Sequence, residues 1–267
     1  MVDIRTIPCR TALTGDNHRF RLNPYVGCTH RCAYCYATYV AGYRDISEPW
    51  GSWVLVKRDI VPLLQLELTR ARGAHVFMST TCDVYQPLDR RFALTRQCLE
   101  ALHHAALFDP DLRVFLLTKS DDILRDRELL ASFPPGTLEV GFSLTTHRDE
   151  IARLVEPGAP SPTRRIDAAR ELVRAGLHVQ LLICPVLPHI TETDLPALVD
   201  IARSIGVAAV AFDKLNYLER HVGKALRPVY ERLGEQACRR LAQAHGSDAY
   251  EREITNAIAS ARGRFAR

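Results

Sequence analysis

The chain has 267 residues and no apolar run long enough to cross a bilayer, which excludes a membrane-spanning helix. Its first residues, Met1-Val-Asp-Ile-Arg-Thr, hold no basic stretch leading into an apolar segment. Nothing therefore marks export, and the expected compartment is the cytoplasm. Internal repeats, low-complexity tracts and long polar tails are also missing, which argues against a solenoid or a disordered linker. Charge of one sign is scarce, because a net charge of +4 is too mild to announce a nucleic-acid binder by itself. Cysteine is the exception to this plainness, with eight in a chain whose thiols are expected to stay reduced.

Three of those cysteines sit together in Asn23-Pro-Tyr-Val-Gly-Cys-Thr-His-Arg-Cys-Ala-Tyr-Cys-Tyr-Ala37, where Cys28, Cys32 and Cys35 make a Cys-x3-Cys-x2-Cys loop. Three thiolates at that spacing can each hold one iron of a [4Fe-4S] cluster and leave the fourth iron open to another ligand. Zinc is the alternative, but His30 lies too close in sequence to complete a tetrahedron, so a distant His or Cys would have to serve. Cys9, Cys82, Cys98, Cys184 and Cys238 are scattered, with no further Cys-x2-Cys that would hold an auxiliary cluster. Cys98 and Cys238 read as small buried hydrophobes within helical patterns, whereas Cys82 and Cys184 follow predicted strands.

Short apolar runs alternate with longer amphipathic stretches, the pattern of strand-helix units around a parallel sheet. Strands are predicted at 21–26, 75–79, 113–118, 138–144, 178–184 and 207–212, and helices at 58–71, 89–107, 121–131, 161–175 and 193–205. Six such units make an incomplete α/β barrel, open on one side. Ligands of parallel barrels gather at the carboxyl ends of the strands. The cysteine loop follows the first strand, and Ser79-Thr-Thr-Cys-Asp83, Thr118-Lys-Ser120, Ser143-Leu-Thr-Thr146 and Cys184-Pro-Val-Leu-Pro188 follow later ones. Five strand ends are thus expected to converge on one mouth. The whole chain is expected to form one domain, with a core over about 21–213 and a helical segment over 214–267 containing two helices, 227–243 and 247–262. Asp213-Lys-Leu-Asn-Tyr217 is placed to close the mouth. The arginines of the tail are not interleaved with aromatics as a base-stacking surface would require.

The cysteine spacing, with Tyr34 and Tyr36 flanking Cys35, resembles the radical S-adenosylmethionine (SAM) superfamily. The run Thr81-Cys-Asp-Val-Tyr-Gln-Pro87, then Leu117-Thr-Lys-Ser120, Phe142-Ser-Leu-Thr-Thr146, Glu156-Pro-Gly-Ala-Pro-Ser-Pro-Thr-Arg-Arg165 and Pro185-Val-Leu-Pro188, is similar to its spore photoproduct lyase-like group. The resemblance implies a partial (β/α)6 TIM-like barrel with a short N-terminal extension and C-terminal helices. It also implies a [4Fe-4S] cluster on Cys28, Cys32 and Cys35, SAM as cofactor, and an external electron donor of flavodoxin or ferredoxin type. Reductive cleavage of SAM would give a 5'-deoxyadenosyl radical that abstracts hydrogen from DNA or a nucleoside-like substrate; the alternatives are a radical SAM enzyme of small-metabolite or peptide biosynthesis and a non-catalytic iron-sulfur or zinc protein.

Carried over by position, the resemblance gives Lys119 to the SAM carboxylate, Asp83 and its neighbour Cys82 to the amino group, Ser143 to the pocket after the fourth strand and Tyr34 to the adenine. Tyr36 matches a tyrosine of radical relay. Thr81 stands where the lyase keeps its hydrogen-donating cysteine, and Cys82 is displaced from it by one residue, which on a strand turns a side chain to the other face. Glu156 is expected to pair with Arg164 or Arg165 and fix the loop after the fourth strand. His103 and His104 read as ordinary helix residues.

Overall fold

The computed structural model describes residues 2–16, 18–42 and 44–266. Its main sheet has seven strands: β2 (Leu13–Asp16), β3 (Arg19–Leu22), β6 (His75–Met78), β7 (Arg113–Thr118), β8 (Leu138–Ser143), β9 (Val179–Val186) and β10 (Ala209–Lys214). Their order is β10-β9-β8-β7-β6-β3-β2. All neighbours from β3 to β10 run parallel, and β2 pairs antiparallel on the edge. This is the partial barrel expected from the strand-helix alternation. A second sheet joins β1 (Asp3–Ile7), β4 (Tyr25–Val26) and β5 (Trp53–Lys57), none of which the hydrophobic pattern had resolved as a separate layer.

The first predicted strand, 21–26, is therefore two strands in two sheets. Pro24 lacks the N–H that a continuing ladder needs, and the Asn23 side chain takes over: its Oδ1 accepts from Thr80 N (2.9 Å) and Thr81 N (3.0 Å), while its Nδ2 donates to Thr80 Oγ1 (2.8 Å). The main chain is thereby freed to cross to β5, where it leads into the cysteine loop.

Side chains alternate across the main sheet. Val76, Met78, Val114, Leu116, Val140, Phe142, Leu181 and Ile183 are buried on the helix-covered face, each contributing about 1.5–3 kcal/mol of transfer free energy. The concave face is open: Phe77 is 39% exposed, and Arg21, its register partner, is exposed beside it. Gly141 lies lower on this face, where a Cβ would fall 2.7 Å from Phe115 and 2.8 Å from Leu182, so the barrel is filled there and hollow above.

Most predicted helices are present with shifted ends: Ile60–Leu68, Pro162–Arg174 and Thr191–Ile205. The stretch 89–107 is broken into Asp89–Phe92 and Leu94–Ala106 because Ala93 adopts φ 50°, and the buried Asp89 carboxylate accepts from Thr95 N (3.1 Å) to cap the second piece. A 3-10 segment, Asp121–Asp126, precedes Arg127–Ala131. A helix that the sequence pattern did not give, Asp149–Val155, follows β8. The tail holds three helices instead of two, His221–Leu233, Glu235–Ala244 and Asp248–Ala266, since Gly234 at φ 100° interrupts the first predicted one. Among the described residues, no helix is long and apolar enough to cross a membrane.

Candidate active site

One cavity of about 310 Å³ opens at the carboxyl ends of the barrel strands, and it is lined by Cys28, Cys32, Cys35, Tyr34, Tyr36, Cys82, Asp83, Lys119 and Ser143. Every site residue singled out in the sequence is therefore brought to the same place, although they span more than a hundred positions of chain.

The cysteine loop is held from three sides. Gln86 accepts from Thr29 N (3.0 Å) and donates to Gly27 O (3.2 Å). Ala33 N donates to Val155 O (2.8 Å) and Gly158 N to His30 O (2.9 Å). The last contact needs glycine, because a Cβ on Gly158 would lie 2.1 Å from Thr29 O. Burial pushes the thiols up, Cys32 to about 12, with Cys28 and Cys35 raised as well. A cluster would take them as thiolates instead.

The residues present fit such a group. Thr29 Oγ1 and His30 Nε2 are buried without hydrogen-bond partners among the described residues, and both lie in this loop. Buried polar atoms left unpaired point to something else in that space. Among the described residues, no three His, Cys, Asp or Glu side chains converge tightly enough for one metal ion. A cluster takes one thiolate per iron, and Cys28, Cys32 and Cys35 line one cavity where they would hold it.

Lys119 is a cation of the cavity wall, as is Lys214, which pairs with Glu251. The Lys119 Nζ lies over the Tyr34 ring at 5.7 Å and makes no ion pair or hydrogen bond among the described residues. Burial pulls its pKa down, but Cys32 and Glu156 outweigh that and hold it above the ordinary value, so it stays an ammonium. An unpaired, half-buried ammonium suits an anionic ligand group.

Asp83 is occupied differently. Its Oδ1 accepts from Thr118 Oγ1 (2.8 Å) and Tyr85 N (2.9 Å), and its Oδ2 accepts from Lys119 N (2.7 Å) with His30 Nδ1 at 3.5 Å. Both oxygens are committed to tying the β6 end, the β7 end and the cysteine loop together. The Asp83 N–H in turn donates to Cys28 Sγ (3.4 Å).

Glu156 pairs with Arg165, both buried, and Arg164 instead reaches Asp121 (2.6 Å). Glu156 also accepts from Tyr34 OH and from Thr145 Oγ1 (3.1 Å), and Arg165 donates to Ser143 O (3.1 Å) and Pro160 O (2.8 Å). Burial raises the Glu156 carboxyl, yet Arg165 and Lys119 more than offset it and keep the carboxylate charged. The pair braces the backbone of Ser143, whose Oγ donates to Cys184 O (3.1 Å).

β6 ends at Met78, and Ser79 turns the chain at φ 76°, so strand alternation no longer governs Cys82. Its buried thiol reaches Asn23 Oδ1 at 3.8 Å and is pushed up to about 12 by burial. Tyr36 is exposed at the mouth, where its OH donates to Thr80 O. Its ring stacks with Tyr39 (6.5 Å between centroids) and with Tyr217 (6.4 Å), and Tyr217 stacks on His221 (5.9 Å). Asp213 to Asn216 line the cavity as the sequence led one to expect, while this aromatic row joins segments far apart in the chain. Asn23, Gln86 and Trp50 were given no role in the sequence reading, and Pro24 inside the predicted strand 21–26 is the signal that could have flagged the first of them. His103 packs edge-on against Phe133 (5.2 Å) as an ordinary helix residue.

Residues 22–202 match the family model of the radical SAM superfamily. The chain belongs to the radical SAM superfamily. Its cofactors are accordingly a [4Fe-4S] cluster and SAM, and this radical SAM chain stands among enzymes. It is 31% identical to an uncharacterized protein of Methanocaldococcus jannaschii over 176 residues, 66% of this chain and 63% of that protein. It is 33% identical to an uncharacterized protein of Mycobacterium tuberculosis over 180 residues, 66% of this chain and 52% of that one. The chain thus spans between half and two thirds of the curated relatives it matches. Its fold is similar to that of spore photoproduct lyase complexed with dinucleoside spore photoproduct (TM-score 0.62, 18% identity, 86% of this chain and 66% of that one). It is also similar to Streptococcus suis SuiB bound to precursor peptide SuiA (TM-score 0.56, 14% identity, 83% of this chain and 46% of that one).

Proposed function

We propose that this radical SAM chain abstracts hydrogen from a nucleic-acid or nucleoside-like substrate in the cytoplasm, with electrons from a flavodoxin- or ferredoxin-type donor. When bound, the cluster and SAM supply a 5'-deoxyadenosyl radical, which removes the hydrogen atom. Cys28, Cys32 and Cys35 hold the cluster. Lys119 pairs with the SAM carboxylate, and Tyr34 and Ser143 form walls beside it. Asp83 brings negative charge to the amino group, but its two oxygens already have partners, so its main service is to position Lys119 and Cys28. Cys82, a buried thiol, and Tyr36 would return a hydrogen atom to product, a role supported by both lining the cavity.

The observation that supports the substrate class is the aromatic row Tyr39, Tyr36, Tyr217 and His221, its three tyrosines exposed and Tyr36 on the cavity wall, with Arg220 over the Tyr217 ring at 5.9 Å. Stacked rings beside cations accept unpaired bases, each worth about 1–3 kcal/mol. Arg19 and Arg21 lie on one face of β3 and form no ion pair among the described residues, leaving them available to phosphate.

The test uses anaerobically reconstituted protein with dithionite, SAM and deuterated substrates. Deuterium from an oligonucleotide or nucleoside should appear in 5'-deoxyadenosine, and oligonucleotide binding should weaken with salt. Deuterium arriving from a peptide or unrelated metabolite instead, with no salt-dependent oligonucleotide binding, would refute the substrate class while leaving the radical chemistry intact.

A further inference from the structure

The middle of the barrel carries an aromatic surface that the cofactor contacts leave unused. β6 is an inner strand with a neighbour on each side, so Phe77 owes its exposure to the concave face and not to a sheet edge. Its register partners are Arg21 on β3 and Phe115 on β7, and partners in parallel strands project from the same face. The Phe77 and Phe115 rings lie 6.1 Å apart between centroids, tilted by 60°. Both line the cavity, as does Leu117 on the same face of β7. Val76, Met78, Val114 and Leu116 already supply the helix-covered core from these two strands, so the phenylalanines are surplus to it. Apolar surface left open in a concave site marks where a ligand is buried.

The sheet ends at β10 on one side and at the β2–β3 hairpin on the other, so the barrel is open between them. The two lips differ in charge. Arg21 is exposed on the β3 lip, and its side chain makes no hydrogen bond or ion pair among the described residues. On the β10 lip Asp213 is exposed and lines the cavity, its Oδ2 accepting from Asn216 Nδ2 (3.4 Å). Lys214 beside it is committed to Glu251. A ligand lying across the phenylalanines therefore meets a cation at one end and a carboxylate at the other.

We propose that the substrate is a phosphorylated nucleoside unit whose base lies on Phe77 and Phe115 and whose phosphate pairs with Arg21. This assignment rests on the nucleic-acid reading of the substrate and narrows it to phosphorylated units. Neighbouring strands lie about 4.8 Å apart, so Arg21 and Phe115 are separated by about 10 Å across the sheet, comparable to the reach from base to phosphate in one nucleotide. Every base has a π face that stacks on aromatic rings, and a planar guanidinium matches phosphate oxygens two at a time. Asp213 sets the direction, because it repels phosphate from the β10 lip and accepts from base N–H groups. A peptide is the poorer occupant: each of its residues brings an N–H and a C=O that need partners, and the side chains of Phe77, Phe115 and Leu117 offer none.

The experiment measures dissociation constants of the common nucleosides, their monophosphates and short single-stranded oligonucleotides by equilibrium dialysis against anaerobically reconstituted protein at low salt. In wild type at least one monophosphate should bind roughly tenfold or more tightly than its nucleoside. Arg21→Gln should return that monophosphate to the affinity of the nucleoside. Phe77→Leu should weaken nucleoside and monophosphate by the same factor, roughly fivefold or more, and leave the preference for phosphate in place. An oligonucleotide that binds more tightly than any monophosphate, with the Arg21 dependence kept, supports the subsite and assigns its phosphate to a strand; equal binding with that dependence supports it with a free nucleotide. A phosphate preference unchanged in Arg21→Gln, or full affinity in Phe77→Leu, overturns the subsite alone. Should Phe77→Leu not fold, wild type decides, since equal affinity for nucleoside and monophosphate also overturns it. If wild type binds none of these probes and a peptide donates the deuterium, the nucleic-acid reading falls and the subsite with it.

Discussion

Replacing Lys119 by Met and Arg165 by Met separates two cations that stand in one site for different reasons. Lys119 Nζ lies over the Tyr34 face at 5.7 Å and makes no ion pair or hydrogen bond among the described residues. Methionine keeps most of the stem and strands no protein partner, so folding stability should change by less than about 1 kcal/mol. The proposed loss falls on cofactor binding: a hydrogen bond to a charged group contributes about 1.5–3 kcal/mol. At about 1.4 kcal/mol per tenfold, SAM should bind roughly 10- to 150-fold more weakly. Arg165 is the reverse case, because it neutralises the buried Glu156 carboxylate. Removing one partner of a buried pair costs about 3–5 kcal/mol, which for a chain of this size lowers Tm by roughly 6–20 °C. Equilibrium dialysis of SAM against reconstituted protein, with iron content and thermal unfolding measured on the same samples, reads both effects. Wild-type SAM affinity in Lys119→Met, or a Tm loss there as large as in Arg165→Met, would refute the division of labour.

Three further outcomes follow from the geometry. Gly158→Ala should lower iron content after reconstitution, since its Cβ would be forced to 2.1 Å from Thr29 O and must displace the cysteine loop; full iron loading at unchanged Tm would contradict this. Asp83→Asn keeps the shape but turns one acceptor oxygen into a donor facing donors, so urea unfolding should report a loss of about 1–3 kcal/mol, and Thr118 and Lys119 would lose their shared anchor. Cys32→Ala should abolish cluster absorbance, whereas Cys98→Ala, in a buried helix position away from the cavity, should keep it.

Local signals in the chain go a long way here. Strand-helix alternation is a period in the sequence, and outward-facing apolar positions such as Val114, Leu116, Val140 and Phe142 record which face of the sheet helices cover. The polar clusters after each strand are legible because a parallel barrel places all its carboxyl ends at one mouth. Boundaries were less legible where a single residue overrides a pattern. Pro24 ends pairing that the apolar run around it would continue, and Ala93 and Gly234 break helices whose spacing is otherwise unbroken. The N-terminal sheet escaped notice because β1 is largely exposed and its partner β5 lies some fifty residues on.

By itself, then, the sequence determined the barrel and the family and pointed to three cysteines of one loop, since each signal lies in residues near one another in the chain. Tertiary structure decided what those residues are free to do. Asp83 and Lys119 look equally available in sequence, yet folding commits both oxygens of Asp83 to protein donors and leaves the Lys119 ammonium without an ion-pair or hydrogen-bond partner among the described residues. The choice of Arg165 over its neighbour Arg164 as partner of Glu156 depends on which side of one helix faces the core. The arginines of the tail are not interleaved with aromatics, and no local pattern sets Tyr217 against Tyr36 or the Lys119 ammonium over the Tyr34 ring. Those contacts join segments whose separation in the chain carries no information about distance, and only closure of the whole barrel brings them within reach.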